Sequence, residues 1–321
     1  MRTKISLLIV YSLIAIWPAA LSFKLDRQPA DPEIEDTLQG VIDFHAHADP
    51  DSMARSIDVI DLARRAREAG MRGLVLKNHY TPTAGYAFLA RKLAPGLEVF
   101  GGVVLNRSVG GINPAAVEAM AAVKGAWGRV VWMPTFDAEN HVRFFQEKRP
   151  FVSVSVQGRL RPEVMEVLKI IAARNLVLET GHSSAAEALL LIGAARRAGI
   201  RQIAVTHAMM NPVNMSIEQQ KEAAAAGAFL EHAFQGTLQG PSAAVPSMRG
   251  WKKITVPEYA AAIRAAGAEH CILSTDLGQA GNPIHTEGML HFIKVLRQEG
   301  ISEREIDLMA RKNPARLLGL E

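Results

Sequence analysis

The stretch Val41-Ile42-Asp43-Phe44-His45-Ala46-His47-Ala48-Asp49-Pro50 decides how the rest of the chain is read. Val41 and Ile42 lead into it, so it predicts a buried β-strand that runs out into a loop. Alternate residues of a strand point to one side, so His45 and His47 can aim both imidazoles at one point. Neutral imidazole is a common ligand for zinc and other transition metals, and two on one rigid strand lose little entropy on binding. The same pair can also merely hydrogen-bond at a strand end. The rest of the chain decides between the two.

Working outward, strand-like runs recur at 41–47, 73–78, 97–105, 129–133, 176–180, 202–206, 228–232 and 271–275. Helical patterns lie between them. One over 57–69 carries Ile57, Ile60 and Leu62 on one side and ends at Gly70. Asn113 caps a helix that starts at Pro114, and a second Pro start is Pro162. Ser184 with Glu187, Ser216 with Gln219 and Ser302 with Glu305 are capping boxes, and Gly199 and Gly227 stop helices. Strands that alternate with helices make a parallel sheet, and closing it gives an α/β fold, the (β/α)8 TIM barrel. A doubly wound open sheet is the alternative, but no GxGxxG or Walker loop follows any strand. Long connections over 134–161 and 234–256 follow strands four and seven, and the alternating run 151–156 predicts an extra strand.

The chain has 321 residues, 49% hydrophobic and 21% charged, which suits one large globular domain over 41–321; two small domains is the weaker organisation. Basic residues number 36 and acidic 32, without a basic run, so the charge of +4 is no nucleic-acid signature. The single Cys271 sits in an apolar run and rules out an intramolecular disulfide. At the N-terminus, Arg2 and Lys4 precede an apolar run over 5–17, then Pro18-Ala19-Ala20-Leu21-Ser22. This is the layout of a secretory signal peptide over 1–22, cleaved before Phe23 and followed by a lead over 23–40. It predicts a periplasmic or secreted protein with no stable membrane insertion after cleavage, or a membrane-anchored one if the signal stays. The apolar run is short of the roughly 20 residues a spanning helix needs.

The strand ends carry the chemistry. Strand one ends in His45 and His47, strand two in Lys77-Asn78-His79, strand five in Thr180-Gly181-His182, strand six in Thr206-His207, strand seven in Glu231-His232, and strand eight in Ser274-Thr275-Asp276. A lone histidine beside an apolar strand is usually a satisfied core residue. A set converging on one barrel mouth is better explained by metal binding.

In this order, the motifs resemble the amidohydrolase superfamily of metal-dependent hydrolases. The resemblance runs from Val41 to Leu320 and includes the ending Asn313-Pro314-Ala315-Arg316-Leu317-Leu318-Gly319-Leu320. It implies that His45, His47 and His182 ligate a divalent metal, zinc first among candidates. It implies that His207 ligates a second ion or hydrogen-bonds the attacking water. It gives Asp276 a place at the metal as general base, passing the proton on to the leaving group. Two-metal members usually bridge the ions with a carboxylated Lys or a Glu at the end of strand four. This chain has Val131-Trp132-Met133-Pro134-Thr135 there. Asp137, Glu139 and His141 follow and could reach back, and Lys77 could substitute as a bridge. A single ion is therefore favoured, with Lys77 binding a substrate carboxylate or phosphate or pairing with an acid.

His79 and His232 are expected as further substrate contacts at the mouth. Glu179 and Glu231, of opposite strand parity, are expected to face away from it. Trp251-Lys252-Lys253 is expected as a loop edge or as a lid touching an anionic substrate. The expected reaction is attack by metal-activated water on the carbonyl of an amide, cyclic amide, ester or lactone in a small-molecule substrate. Phosphoester hydrolysis, metal-dependent decarboxylation and a non-catalytic metal- or ligand-binding barrel are the alternatives. No nucleic-acid partner is expected, and a homo-oligomer is left open.

Overall fold

Eight parallel strands form one sheet in chain order in the computed structural model. They are β1 (Ile42–Ala46), β2 (Gly73–Leu76), β3 (Glu98–Val104), β4 (Gly128–Trp132), β5 (Val177–Glu179), β6 (Ile203–Val205), β7 (Phe229–Ala233) and β8 (Cys271–Ser274). Each lies within, or one residue beyond, its sequence-predicted run. The structure describes residues 36–320, so the signal over 1–22 and most of the 23–40 lead lie outside the described residues.

The seam between β8 and β1 closes just past the strand ends. Ala46 bridges Leu277. His47 N donates to Leu277 O and Asp276 N to His45 O, each at 2.9 Å. Lower down, the Asp43 carboxylate takes the place of a backbone acceptor, receiving Thr275 N at 2.9 Å and Thr275 Oγ1 at 2.6 Å. The result is a nearly closed (β/α)8 barrel.

The surrounding helices are α1 (Val59–Glu68), α2 (Ala84–Leu93), α3 (Pro114–Ala121), α4 (Pro162–Ala173), α5 (Ala185–Arg197), α6 (Ile217–Ala225), α7 (Val256–Ala266) and α8 (His285–Gln298). Asn113 caps α3 through Ala115 N and Ala116 N. The capping boxes at Ser184, Ser216 and Ser302 form as the sequence indicates. Each cap is worth about 1 kcal/mol.

Burial is in two layers. Leu62, Leu74, Val103, Ile171, Leu191 and Phe292 pack between sheet and helices. Ile42, Phe44, Val75, Phe100, Trp132 and Phe229 fill the barrel interior, joined by Leu317 and Leu318 of the last helix (Asn313–Leu318). That helix plugs the barrel from below. Arg72 and Arg129, at the feet of β2 and β4, donate to Leu320 O at 2.6 Å and Leu318 O at 3.1 Å. Only the other end, where the strands point, remains open to the long loops.

The loop after β4 holds a short helix (Glu139–Phe144) and a hairpin pairing Ser155–Val156 with Arg159–Leu160. The expected extra strand is thus shorter than the alternating run, whose Val152 makes only a bridge to Ala138. Among the described residues no helix is long and apolar enough to cross a membrane.

Candidate metal centre

The register of β1 shifts between Asp43 and Ala46. Below the shift Ile42 and Phe44 belong to the barrel interior; above it Ala46 packs outside, and His45 and His47 face the mouth. Such irregularities re-aim side chains next to functional sites. Two other site residues leave their strands with left-handed backbone, His207 at φ 28° and Asp276 at φ 51°. Strain of this kind costs of order 1–3 kcal/mol and persists only where surrounding contacts over-determine it. Here His207 N is held by Glu231 Oε2 at 2.7 Å, and Asp276 N by the seam. Gly278 makes the fit behind His47: a Cβ there would lie 2.0 Å from His47 O.

The outcome is a triangle. His45 Nε2 lies 3.2 Å from His47 Nε2, and each is 3.1 Å from Asp276 Oδ1. Among the described residues this is the group whose ligand atoms converge for a metal ion. Ligands about 2.1 Å from a zinc-sized ion stand about 3.0 Å apart at a right angle and about 3.4 Å apart at the tetrahedral angle. The observed edges fall between. The protons tell the same story. Glu231 Oε1 is 2.9 Å from His45 Nδ1. Burial raises the Glu231 carboxyl, but His45, His207 and Lys77 outweigh it and hold it at about 2. An ionised carboxylate only accepts, so His45 Nδ1 donates to it and Nε2 is the ring nitrogen left to face His47 and Asp276. Two imidazole nitrogens and a carboxylate oxygen thus converge in one buried site. A cation at their centre would take a lone pair from each. The residues present fit a divalent metal.

Beneath the triangle lies a polar floor. Glu231 also receives Ser274 Oγ at 2.7 Å, and Glu179 Oε2 receives Thr206 Oγ1 at 2.6 Å. Both carboxylates point into the barrel, which corrects the expectation that they face away. On β7 the inner positions are Phe229 and Glu231. His232 therefore points outward, its ring centroid 5.5 Å from that of Tyr259 on α7. It does not line the cavity, because the two-residue alternation of β7 cannot turn both 231 and 232 inward.

His182 and His207 stand beside the triangle, on the cavity wall, with ring centroids 5.0 Å apart. Burial pushes His182 well below the usual histidine range and His207 to about 4, so both are neutral. His182 is engaged from the β4 loop: its Nδ1 lies 2.9 Å from Nδ1 of His141. Of the residues that could reach back from that loop, His141 does. Asp137 instead accepts from Arg149 at 2.5 Å, and Glu139 from Arg143 at 2.7 Å. The end of β4 itself offers the indole of Trp132, which has no ligand atom and stands 6.4 Å from the His45 ring.

Lys77 and His79 line the cavity, which measures about 740 Å³. Lys77 is 2% exposed, and its Nζ makes no hydrogen bond. His79 Nδ1 sits 2.9 Å from Thr135 Oγ1, and its ring stacks on His47 at 4.8 Å. Trp251 lines the cavity, while Lys252 turns to Glu258 at 3.4 Å. Sequence reasoning missed Arg55, whose Nη2 lies 3.3 Å from His47 Nδ1 and 2.6 Å from Asp51. Its only signal was a place soon after the two histidines.

Residues 40–231 match the model of DUF6282, a family of unknown function, and the chain belongs to that family. No curated protein matches the sequence. Solved structures share the fold at low identity. A resiniferatoxin-binding protein from Rhodobacter sphaeroides is 16% identical with a TM-score of 0.60, over 88% of this chain and 92% of that one. A triple variant of an organophosphorus hydrolase from Deinococcus radiodurans is 14% identical with a TM-score of 0.59, over 88% and 94%. A structure from the engineering of organophosphate hydrolysis on a weak promiscuous lactonase template is 15% identical with a TM-score of 0.57, over 88% and 97%. The shared architecture is the (β/α)8 barrel.

Proposed function

We propose that this protein is a hydrolase using a single divalent ion, zinc, in the His45–His47–Asp276 triangle to open the carbonyl of an amide, cyclic amide, ester or lactone. The observation that carries the reading is the convergence of three ligand atoms 3.1–3.2 Å apart at the open end of a barrel. A divalent metal bound there would lower the pKa of water from 15.7 to about 7 and polarise the scissile carbonyl. Asp276 would take a proton from that water and pass it to the leaving group. His207, neutral and with Nδ1 unpartnered, is free to hydrogen-bond the water or the reacting oxygen. His182, oriented by His141, completes the wall. Lys77 and His79 face the substrate.

Ester and lactone cleavage draws support from the lactonase template among the structural neighbours, and phosphoester hydrolysis from the organophosphate hydrolases beside it. The N-terminal layout supports export to the periplasm or beyond. The test of the reaction is Asp276→Asn on a panel of lactones, aryl esters and phosphotriesters, with metal content measured alongside. Loss of turnover by a hundredfold or more with metal retained supports the base. Unchanged turnover removes it.

A further inference from the structure

Charge and shape within the cavity narrow the substrate further. Four cationic side chains line it: Arg55, Lys77, Arg107 and Arg149. Arg55 is matched by Asp51 at 2.6 Å, and Arg149 by Asp137 at 2.5 Å and Glu147 at 2.6 Å. Lys77 is different. It is buried, its Nζ lacks any hydrogen-bond partner, and the Trp132 ring centroid 5.5 Å away is its close companion. The three carboxylates in its electrostatic reach are all committed. Asp276 belongs to the metal triangle, Glu231 holds His45 and His207, and Glu179, whose carboxyl burial and Glu231 push up, is bonded to Thr206. Burial lowers the Lys77 amine from its usual range, and an anion brought into the cavity would favour its charged form and give Nζ the partner it lacks.

The other wall is flat and apolar. Phe136, Phe145 and Trp251 come from two different long loops, and each is half-buried with a face on the cavity. Phe145 and Trp251 lie 4.9 Å apart, and Phe136 stands edge-on to His182 at 5.6 Å. Rings left half-exposed around a cavity of this size bind apolar, planar groups well.

We propose that the substrate joins an aromatic body, held by Phe136, Phe145 and Trp251, to a carboxylate next to the reacting carbonyl, held by Lys77. The carboxylate is placed close to the carbonyl because Lys77 lies near enough to Asp276 to interact with it electrostatically. Exposed Arg107 at the rim adds a long-range attraction for the same anion. The assignment of the carbonyl rests on the hydrolytic reading; the recognition of aryl and carboxylate groups does not.

Calorimetric binding of three small probes tests this on the full chain, both zinc-loaded and metal-stripped. Phenylglyoxylate carries the aryl group, carbonyl and carboxylate; acetophenone lacks the carboxylate; pyruvate lacks the ring. Phenylglyoxylate is expected to bind at least tenfold more tightly than either. Lys77→Met should abolish its advantage over acetophenone while leaving acetophenone binding unchanged, and that unchanged binding also reports that the variant is folded. Trp251→Ala should weaken both aryl probes and spare pyruvate.

Equal binding of acetophenone overturns the anion site, and equal binding of pyruvate overturns the aryl site. An advantage that survives Lys77→Met marks simple chelation of the metal and also overturns the proposal. The three-probe comparison on the natural chain stands even if a variant fails to fold. Turnover is read separately: probe preference without turnover removes the hydrolytic reading alone, and turnover without preference removes this proposal alone.

Discussion

Nδ1 of His141 lies 2.9 Å from Nδ1 of His182, so a helix in the β4 loop holds a histidine that follows β5. One ring must donate and the other accept, and burial keeps both neutral, His141 at about 3. The bond fixes which nitrogen of His182 is free to face the cavity. Ligand histidines in metal sites are oriented by such outer contacts.

His141→Phe should therefore keep the packing on Phe145 and Trp251 but release His182. The expected loss is about tenfold to a hundredfold in turnover, with KM little changed. His141→Gln, which keeps a hydrogen-bonding group, should recover part of it. Steady-state kinetics with a responsive ester or lactone separates the two. Equal losses in both variants would mean that the ring contributes only packing.

Glu231 fixes the His45 tautomer and also the strained His207 backbone. Glu231→Gln can still accept at one oxygen but no longer carries the charge that draws the His45 proton to Nδ1. Metal affinity should fall about tenfold to a hundredfold. Competition against a chromogenic chelator measures this, and unchanged affinity would leave Glu231 with a purely structural part.

His232 gives a prediction about stability rather than activity. Burial lowers its imidazole to about 4 against an ordinary 6.5, with Glu231 pulling weakly the other way. Between those values the unfolded chain binds the proton and the folded one does not, so stability rises with pH. The contribution is complete above pH 6.5 and is lost as pH falls through 4, up to about 3 kcal/mol. His232→Phe, packed on Tyr259, should flatten this acid limb and leave turnover unchanged. Urea denaturation at pH 4.5 and 7 shows whether the slope differs from that of the natural chain.

Much of the barrel was legible because strand and helix signals agreed at each step. Val41 and Ile42 began a strand, Asn113 with Pro114 and the three Ser capping boxes began helices, and all stand where expected. The convergence of His45, His47 and Asp276 could be expected because a barrel gathers its strand ends. Faces were harder. On β7 a histidine at a strand end drew the eye, although the apolar Phe229 set the inner face and placed Glu231, two residues on, inside. On β1 alternation alone could not reveal the register shift that lets Phe44 fill the interior while His45 faces the metal site. His141 reaches His182 across 41 residues of sequence, and only the path of the β4 loop could choose it over Asp137 and Glu139.

Metal content is the measurement to make first: elemental mass spectrometry of the purified protein beside the His45→Ala/His47→Ala double variant. One equivalent of zinc or a similar divalent metal, absent from the variant, is the predicted result. No metal after reloading, or one equivalent that persists in the variant, would contradict the His45–His47–Asp276 centre on which the proposed chemistry depends.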